Sequence, residues 1–510
     1  MAQTQKKTVY IIITLIVLVV AVLGTLALVD QFSRQDSNDT TISATLSNSS
    51  NDFDWTKYEI YTIELSDSLE ITQPGVYVLS GTIANGNVII NTDGNVKLEL
   101  ANVNITSSSG PAIYVANAKN VVISTTIGSE NTLVDSTNYD GYEADEIATI
   151  FSHDDLFLEG DGTLVVTANN ADAIVSKDDL TFTSGTYQIT SVDDGIRGKD
   201  SVYIESGNFT ITAGGDGIKS TNATDEGRGY IYIADGNFDI TAKVDGIQAE
   251  TNLQINGGNF TLTTGDDGIH AGANLIINGG TINIVECYEG IEGSTVTIND
   301  GEISIVALDD GLNAAGGNDA SGLARPGANN FRSNDNNYIR IRGGELNIQS
   351  DGDGVDSNGN LYIEGGELII SGPTNGADSA LDHDGELAIT GGTVMASEIA
   401  GMMDGGISSS STNYSLVIGF ATRYPAGTVI TVEDSDGAEI LKISPEKVFS
   451  SVTFSAPILK EDSTYTIKVN GTIYTTTTLA SITTKIGTQN NGGPGMMDVG
   501  GGRGPGDGRR

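Results

Sequence analysis

An acidic residue followed by glycine and an aliphatic residue returns seven times along the middle of this 510-residue chain. The copies are Asp194-Gly195-Ile196, Asp216-Gly217-Ile218, Asp245-Gly246-Ile247, Asp267-Gly268-Ile269, Glu289-Gly290-Ile291, Asp310-Gly311-Leu312 and Asp353-Gly354-Val355. The intervals between their glycines are 22, 29, 22, 22, 21 and 43 residues. Polar insertions around 221–229 and 315–337 account for the two long intervals, so the period is about 22. Weaker copies stand at Asp172-Ala173-Ile174 and Ser379-Ala380-Leu381. A second acid precedes several copies: Asp193, Asp266, Asp309 and Asp351, and Asp356 follows the last. If consecutive copies stack, each acid lies about 4.8 Å from the next. Unit charges about 5 Å apart repel by about 0.8 kcal/mol in water and about 3 kcal/mol at an effective dielectric of 20. The bases near these corners are few: Arg197, Lys199, Lys219 and Lys243. Hard oxygen ligands without His or Cys suit Ca²⁺, which takes six to eight oxygens at about 2.3–2.6 Å. Against this stands a plain alternative: Asp-Gly is an ordinary turn dipeptide, and a repeat copies its turns whether or not they bind anything. The doubled row tips the expectation toward calcium at Asp193, Asp194, Asp216, Asp245, Asp266, Asp267, Glu289, Asp309, Asp310, Asp351, Asp353 and Asp356.

Within each period, apolar residues alternate in three short bursts. One unit reads Gly246-Ile247, then Leu253-Gln254-Ile255, then Asn256-Gly257-Gly258, then Phe260-Thr261-Leu262. Period-two alternation broken by Gly or Asn reads as strand–turn–strand–turn–strand. Three strands in about 22 residues cannot form a core alone, but each can bury its apolar side against the next copy. The expected fold is all-β, a right-handed parallel β-helix over 52–405. Gly257-Gly258, Gly279-Gly280, Gly343-Gly344 and Gly365-Gly366 are expected to supply positive φ at its corners. A calcium-binding roll of nine-residue repeats does not fit the period.

The charge and composition narrow the function. Asp and Glu number 67 against 25 Lys and Arg, a formal charge of −42. Nucleic acid is excluded as a partner, because phosphate binding needs a basic surface. Cys287 is the only cysteine, so no intrachain disulfide exists, and with three histidines a Cys/His zinc site is not expected. Glycine makes up about an eighth of the chain, far from the one third of collagen.

The termini suggest an address. Residues 9–29 are apolar or small without a charge, and Lys6 and Lys7 precede them. At about 1.5 Å per residue this run spans roughly 31 Å, the thickness of a bilayer core. The expectation is a single-pass signal-anchor in the cell membrane, with 1–8 cytoplasmic and the body extracellular. A cleaved secretory signal is the alternative, and both export the body. Residues 30–51 read as a flexible spacer, 406–486 as a small β module, and 487–510 as a Gly-rich tail.

Asp-Asp-Gly-Ile-x-Ala recurring every 22 residues, with Ile-x-Gly-Gly-x-Phe/Ile-x-Ile between copies, resembles the bacterial carbohydrate-binding β-helix proteins related to family-9 pectate lyases. The likeness covers about residues 57–485, including the Gly401-Met402-Met403 segment. It implies an extracellular right-handed β-helix holding calcium in its coils and binding cellulose or pectic polysaccharide without established lyase turnover. The chain is expected to be a monomer. Tyr288-Glu289 departs from the paired-acid pattern, so that coil is the expected gap in the calcium row. One alternative is a calcium-dependent lyase, for which Lys219 and Arg197 are the only bases in the row itself. Their plainer role is to neutralise neighbouring carboxylates. The other alternative is a structural adhesin or matrix protein. His153, His270 and His383 fall at turn-like positions and read as surface or packing residues. Tyr139, Tyr142, Tyr187, Tyr203, Tyr230, Tyr232, Tyr288 and Tyr338 are candidates for stacking on sugar, with strand packing as the competing reading. Arg325 and Arg332, in the long insertion, complete the candidate polysaccharide-binding set with Tyr288 and Tyr338.

Overall fold

The computed structural model describes residues 53–314, 336–399 and 406–488. The expected cytoplasmic segment, membrane span and spacer lie outside these residues, as do Arg325, Arg332, Gly401-Met402-Met403 and the chain from 489 onward. Among the described residues no helix is long and apolar enough to cross a membrane. Their regular structure is β throughout, apart from one 3-10 turn at Trp55–Lys57.

The strands stack in three parallel ladders, and the chain visits each ladder once per coil. The first runs through Asp172–Ser176, Ile196–Gly198, Ile218–Ser220 and Ile247–Ala249. The second runs through Asp179–Phe182, Ser201–Ile204, Tyr230–Ile233 and Leu253–Ile255. The third runs through Thr186–Thr190, Asn208–Ala213, Asn237–Ala242 and Asn259–Thr263. This pairing is compatible with a parallel β-helix, and its register follows the sequence intervals. Ile196 pairs with Ile218, Ile218 with Ile247 across the 29-residue interval, and Leu312 with Val355 across the 43-residue one. The weaker copies belong to the same ladder, with Ile174 opposite Ile196 and Val355 opposite Leu381. Two coils depart locally: Ile269–Ile277 and Ile291–Ile298 each run through the first two strand positions as one strand, the former pairing with both Ile247–Ala249 and Leu253–Ile255 and the latter with both Leu312–Ala314 and Tyr338–Ile341.

Burial explains why the apolar residues repeat. Ile196, Ile218, Ile247, Ile269, Ile291, Leu312 and Val355 are fully buried in one column inside the coil. On the third ladder Phe209, Phe238 and Phe260 stack at 4.9 and 4.5 Å. Each such side chain is worth roughly 1.5–3 kcal/mol when withdrawn from water. Cys287 is buried at the end of Thr281–Cys287, a core position as its apolar context suggests.

Two kinds of glycine do different work. Gly258, Gly280, Gly344 and Gly366 have φ of +105, +105, +85 and +76°, as the corner pairs require. The glycines of the Asp-Gly row are needed for close approach. A Cβ on Gly217 would lie 2.5 Å from the Gly246 carbonyl oxygen, and one on Gly246 equally near that of Gly268.

After the last coil the sheet changes character. Thr393–Glu398 pairs antiparallel with Phe449–Ala456, which pairs with Tyr414–Tyr424, and Thr483–Gly487 adds a parallel edge. A four-stranded antiparallel sheet of Glu439–Ile443, Ile430–Glu433, Thr464–Val469 and Thr472–Thr478 joins them over a second core that includes Leu416, Phe449, Phe454 and Ile467.

Candidate functional site

The acidic row lies at the turn leading into the first ladder, and it is buried. Asp172, Asp194, Asp216, Asp245, Asp267, Glu289, Asp310 and Asp353 are each at most 8% exposed. A shared backbone contact holds most of them. The amide of Asp194 donates to Asp172 Oδ1 at 3.0 Å, and those of Asp216, Asp245 and Asp267 donate likewise to the preceding aspartate at 2.9, 2.9 and 3.0 Å. Asp353 donates to Asp310 Oδ1 at 2.6 Å. Each of these acceptors therefore uses Oδ1 to tie two coils together and leaves Oδ2 for a counter-charge. The turn role and the cation role thus fall on different oxygens of the same side chain.

The counter-charge is set by a second column, two residues beyond each glycine on the outward side of the strand. Strand register orders it as Arg197, Lys219, Gln248, His270, Glu292, Asn313, Asp356 and Asp382. Its charge changes along the axis from basic through neutral to acidic. Arg197 Nη2 lies 2.5 Å from Asp172 Oδ2, with Nε 3.9 Å from Asp194. Lys219 is bonded to Asp216 and lies 4.0 Å from Asp194. Burial would lower the Lys219 pKa, but the carboxylates of Asp194 and Asp216 raise it, so its ammonium stays charged. His270 stands 3.6 Å from both Asp245 and Asp267 and 3.5 Å from Glu292.

Beyond His270 the outward column holds no further base among the described residues. Asp267, Glu289 and Glu292 present oxygens within 4.8 Å of one another, and so do Asp310, Asp353 and Asp356; all six residues are buried. Burial and then neighbouring carboxylates push Asp267 and Asp310 well above the ordinary range, and Asp353 up to about 9. Asp194, which burial raises and Lys219 lowers, reaches about 7. Asn313 sits between the two acidic groups in the outward column and is fully buried. Its Nδ2 donates to Glu289 Oε2 at 2.7 Å, while its Oδ1 accepts no hydrogen bond among the described residues. An oxygen-only donor set with an orphaned buried carbonyl fits a hard divalent cation such as Ca²⁺.

The preceding acids are placed differently. Asp193 is exposed yet shares a group with Asp172 and Asp194. Asp266 and Asp309 are half-buried, and Asp351 is exposed and paired with Lys447 at 2.6 Å. The doubled row is thus one buried line of acids with a looser outer fringe. Glu289, expected as the gap, instead shares a group with Asp267 and Glu292, because the outward column supplies the acid that Tyr288 does not. His270 is no loose surface residue, and both it and His383 lie in strands rather than turns.

A second acidic corner lies before the second ladder. Asp155, Asp178 and Asp179 approach within 4.8 Å, and burial with nearby acids raises Asp178 to about 6. From the insertion at 221–229, Arg228 Nη1 reaches Asp179 at 2.9 and 3.1 Å. Asp178 and Asp200 stand 22 residues apart, so the period itself carried this signal.

The tyrosines divide. Tyr187 is a core residue stacked on Phe209 at 5.0 Å. Tyr139 bonds Asp135 at 2.7 Å, and Tyr142 packs edge-on to Tyr114 and Tyr139. Tyr288 lies in the acidic corner, whereas Tyr338 lies on the second ladder; the structure does not bring them together. Tyr203 and Tyr232 stack at 4.9 Å and 6° on the outside of that ladder.

Residues 66–311 match the model of a family described as carbohydrate-binding domain-containing protein. A protein of Acetivibrio thermocellus with the same description is 33% identical over 126 residues, covering 24% of this chain and 44% of that protein. The chain thus spans less than half the length of this relative. A solved structure titled as the polysaccharide lyase-like protein from C. thermocellum, gadolinium derivative, is 30% identical. It covers 44% of this chain and 96% of the other, with a TM-score of 0.40.

Proposed function

We propose that this chain is a non-catalytic polysaccharide-binding protein of the cell surface, built on a right-handed parallel β-helix that calcium stabilises. The observation that carries the polysaccharide reading is the match of residues 66–311 to a carbohydrate-binding family. Cellulose and pectic glycans are the ligand classes to test. In this reading residues 9–29 anchor the chain, 30–51 space the coils from the membrane, and 52–405 bind glycan.

Calcium would be held by Asp310, Asp353 and Asp356 with the Asn313 carbonyl, and by Asp267, Glu289 and Glu292. The bound ion supplies positive charge that offsets mutual repulsion among buried carboxylates. The chain's own part is to hold these oxygens on successive coils, so that one ion ties together residues distant in sequence.

The bases bear on lyase chemistry. A general base must be free to accept a proton. Lys219 is held charged by Asp216 and Asp194, and Arg197 is engaged by Asp172. Both act as counter-ions in this arrangement, which supports binding without turnover.

The test is retention on insoluble cellulose and on pectate gel, with calcium and with EDTA, while following ultraviolet absorbance for unsaturated uronate. Retention without product is expected. Steady product formation would replace the reading with a lyase, and calcium-driven self-association without glycan retention would replace it with an adhesin.

A further inference from the structure

Between residues 196 and 371 the outward sides of the three ladders differ in chemistry. The first carries the charged column from Arg197 to Asp356. The third carries Asn, Thr, Ser, Gln and Glu with a few aliphatic residues, as in the register Asn208–Asn237–Asn259–Thr281–Glu302. The second carries tyrosine at the two ends of this stretch, in the register Tyr203–Tyr232–Gln254–Ile276–Thr297–Arg340–Tyr362, in which Gln254, Ile276 and Thr297 are buried. Tyr203 and Tyr232 are in register on successive coils, and Tyr230 stands beside Tyr232. Further along the same ladder Arg340 pairs with Tyr362, two residues beyond Tyr338. The alternating neighbours Val202, Ile204, Ile231, Ile233, Ile339 and Ile363 are fully buried inside, which puts the tyrosines outside, where they are half-exposed.

These rings are held before any ligand arrives. Tyr203 lies on Tyr232 at 4.9 Å. Asn256 Nδ2 donates to the Tyr232 hydroxyl at 2.5 Å, and Asn278 and Asn299 continue the chain of side-chain amides at 2.7 Å each. The Arg340 guanidinium carbon is 5.2 Å from the Tyr338 ring centre and 4.9 Å from that of Tyr362. Ordered aromatic side chains lose little conformational freedom on binding. The charge beside them decides the ligand class. Glu205, Asp235 and Glu364 are exposed at the margin of the same strands. Arg340 and Arg342 both approach Glu364, at 3.6 and 3.4 Å, so one carboxylate there faces two guanidiniums. Beside Tyr203 and Tyr232 the exposed charges at the strand ends are those of Glu205 and Asp235, which repel a polyuronate and suit an uncharged chain. Both long insertions, at 221–229 and after Ala314, leave the repeat just before this ladder, at Tyr230 and Tyr338.

We propose that the outer face of the second ladder at Tyr203, Tyr230 and Tyr232 is the glycan-binding surface, and that its ligand is a neutral polysaccharide stacked across Tyr203 and Tyr232. The inference rests on the polysaccharide-binding reading and assigns that reading its surface. Sugar C–H faces meet the aromatic rings, while flanking amides meet sugar hydroxyls.

The test uses the full chain with calcium and insoluble cellulose as probe. The Tyr203→Ala/Tyr232→Ala double variant is expected to bind about tenfold more weakly, with Tyr203→Phe/Tyr232→Phe close to wild type. Asn283→Ala, on the third ladder, should bind as wild type. Soluble cello-oligosaccharide should also protect Tyr203 and Tyr232 of the unaltered protein from nitration, a readout that needs no variant to fold. Wild-type retention by a folded double-alanine variant, or equal nitration with and without oligosaccharide while cellulose is retained, would overturn this surface and leave the binding reading standing. Absence of retention on every glycan would overturn both.

Discussion

In the coils from 172 to 219 the buried aspartates face Arg197 and Lys219, whereas from 267 to 356 they face Glu292, Asn313 and Asp356. The same row and the same type of backbone hydrogen bond occur in both stretches. What differs is one outward position per coil. In the first stretch that position supplies the counter-charge covalently. In the second it adds further oxygens, and burial with neighbouring carboxylates draws the carboxyl pKa values up. A repeated acid therefore does not by itself fix its surroundings; the residue three places after it decides whether a base or a further acid faces it.

The comparison can be broken by calcium itself. Calcium at a thousandfold excess over its Kd should stabilise the fold by about 4 kcal/mol. In calorimetry Asp353→Asn/Asp356→Asn should lose the share of that response that belongs to the Asp310, Asp353 and Asp356 group, and Asp194→Asn should keep all of it. Asp356→Lys, which copies the basic stretch into the acidic one, should reduce the response by the same share while raising the unfolding midpoint in EDTA. An unchanged calcium response in Asp356→Lys would refute the division.

Next in size is the loss of a covalent counter-charge. Arg197→Met leaves Asp172 buried without its partner and should cost about 3 kcal/mol in urea unfolding, with or without calcium. Restoration by calcium would mean that the two stretches are interchangeable.

The pH response sharpens the division further. With EDTA present the folded state binds more protons than the unfolded one wherever a buried carboxyl is raised. Stability is then greatest at low pH and declines as pH rises through the folded pKa, by up to about 1.4 kcal/mol per unit and group. The decline attached to Asp194 should end near pH 7, and that attached to Asp353 near pH 9. Thermal midpoints from pH 4 to 9 should therefore fall in EDTA, and Asp353→Asn should flatten the alkaline part. Calcium should flatten it too.

The smallest effect belongs to the fringe. Lys447→Ala frees exposed Asp351 and should change stability by no more than about 1 kcal/mol. A larger loss would place Asp351 with the buried row.

Much of this was legible in residue spacing. Intervals of 22, 29 and 43 between the Asp-Gly copies became strand register, because a solenoid converts sequence period into axial neighbours. Even the weak copy at Asp172 proved to be part of the row. Other features were hidden for identifiable reasons. Arg197, Gln248, His270 and Asp356 share a column but no chemistry, so a search for self-similarity passes over them. Glu289 looked like a defect because Glu292, its neighbour in space, is not in the motif. Tyr187 and Tyr203 look alike in their strands, yet alternation turns one into the core and the other outward.

The sequence alone determined the period, the inward apolar columns and the recurrence of an acid at one corner, since each follows from local alternation and turn chemistry. The tertiary structure alone decided which acids are buried, which oxygens are already occupied and which neighbour compensates each charge. Those outcomes depend on residues from adjacent coils meeting across a few ångströms, where a low dielectric makes one base or one further acid decisive.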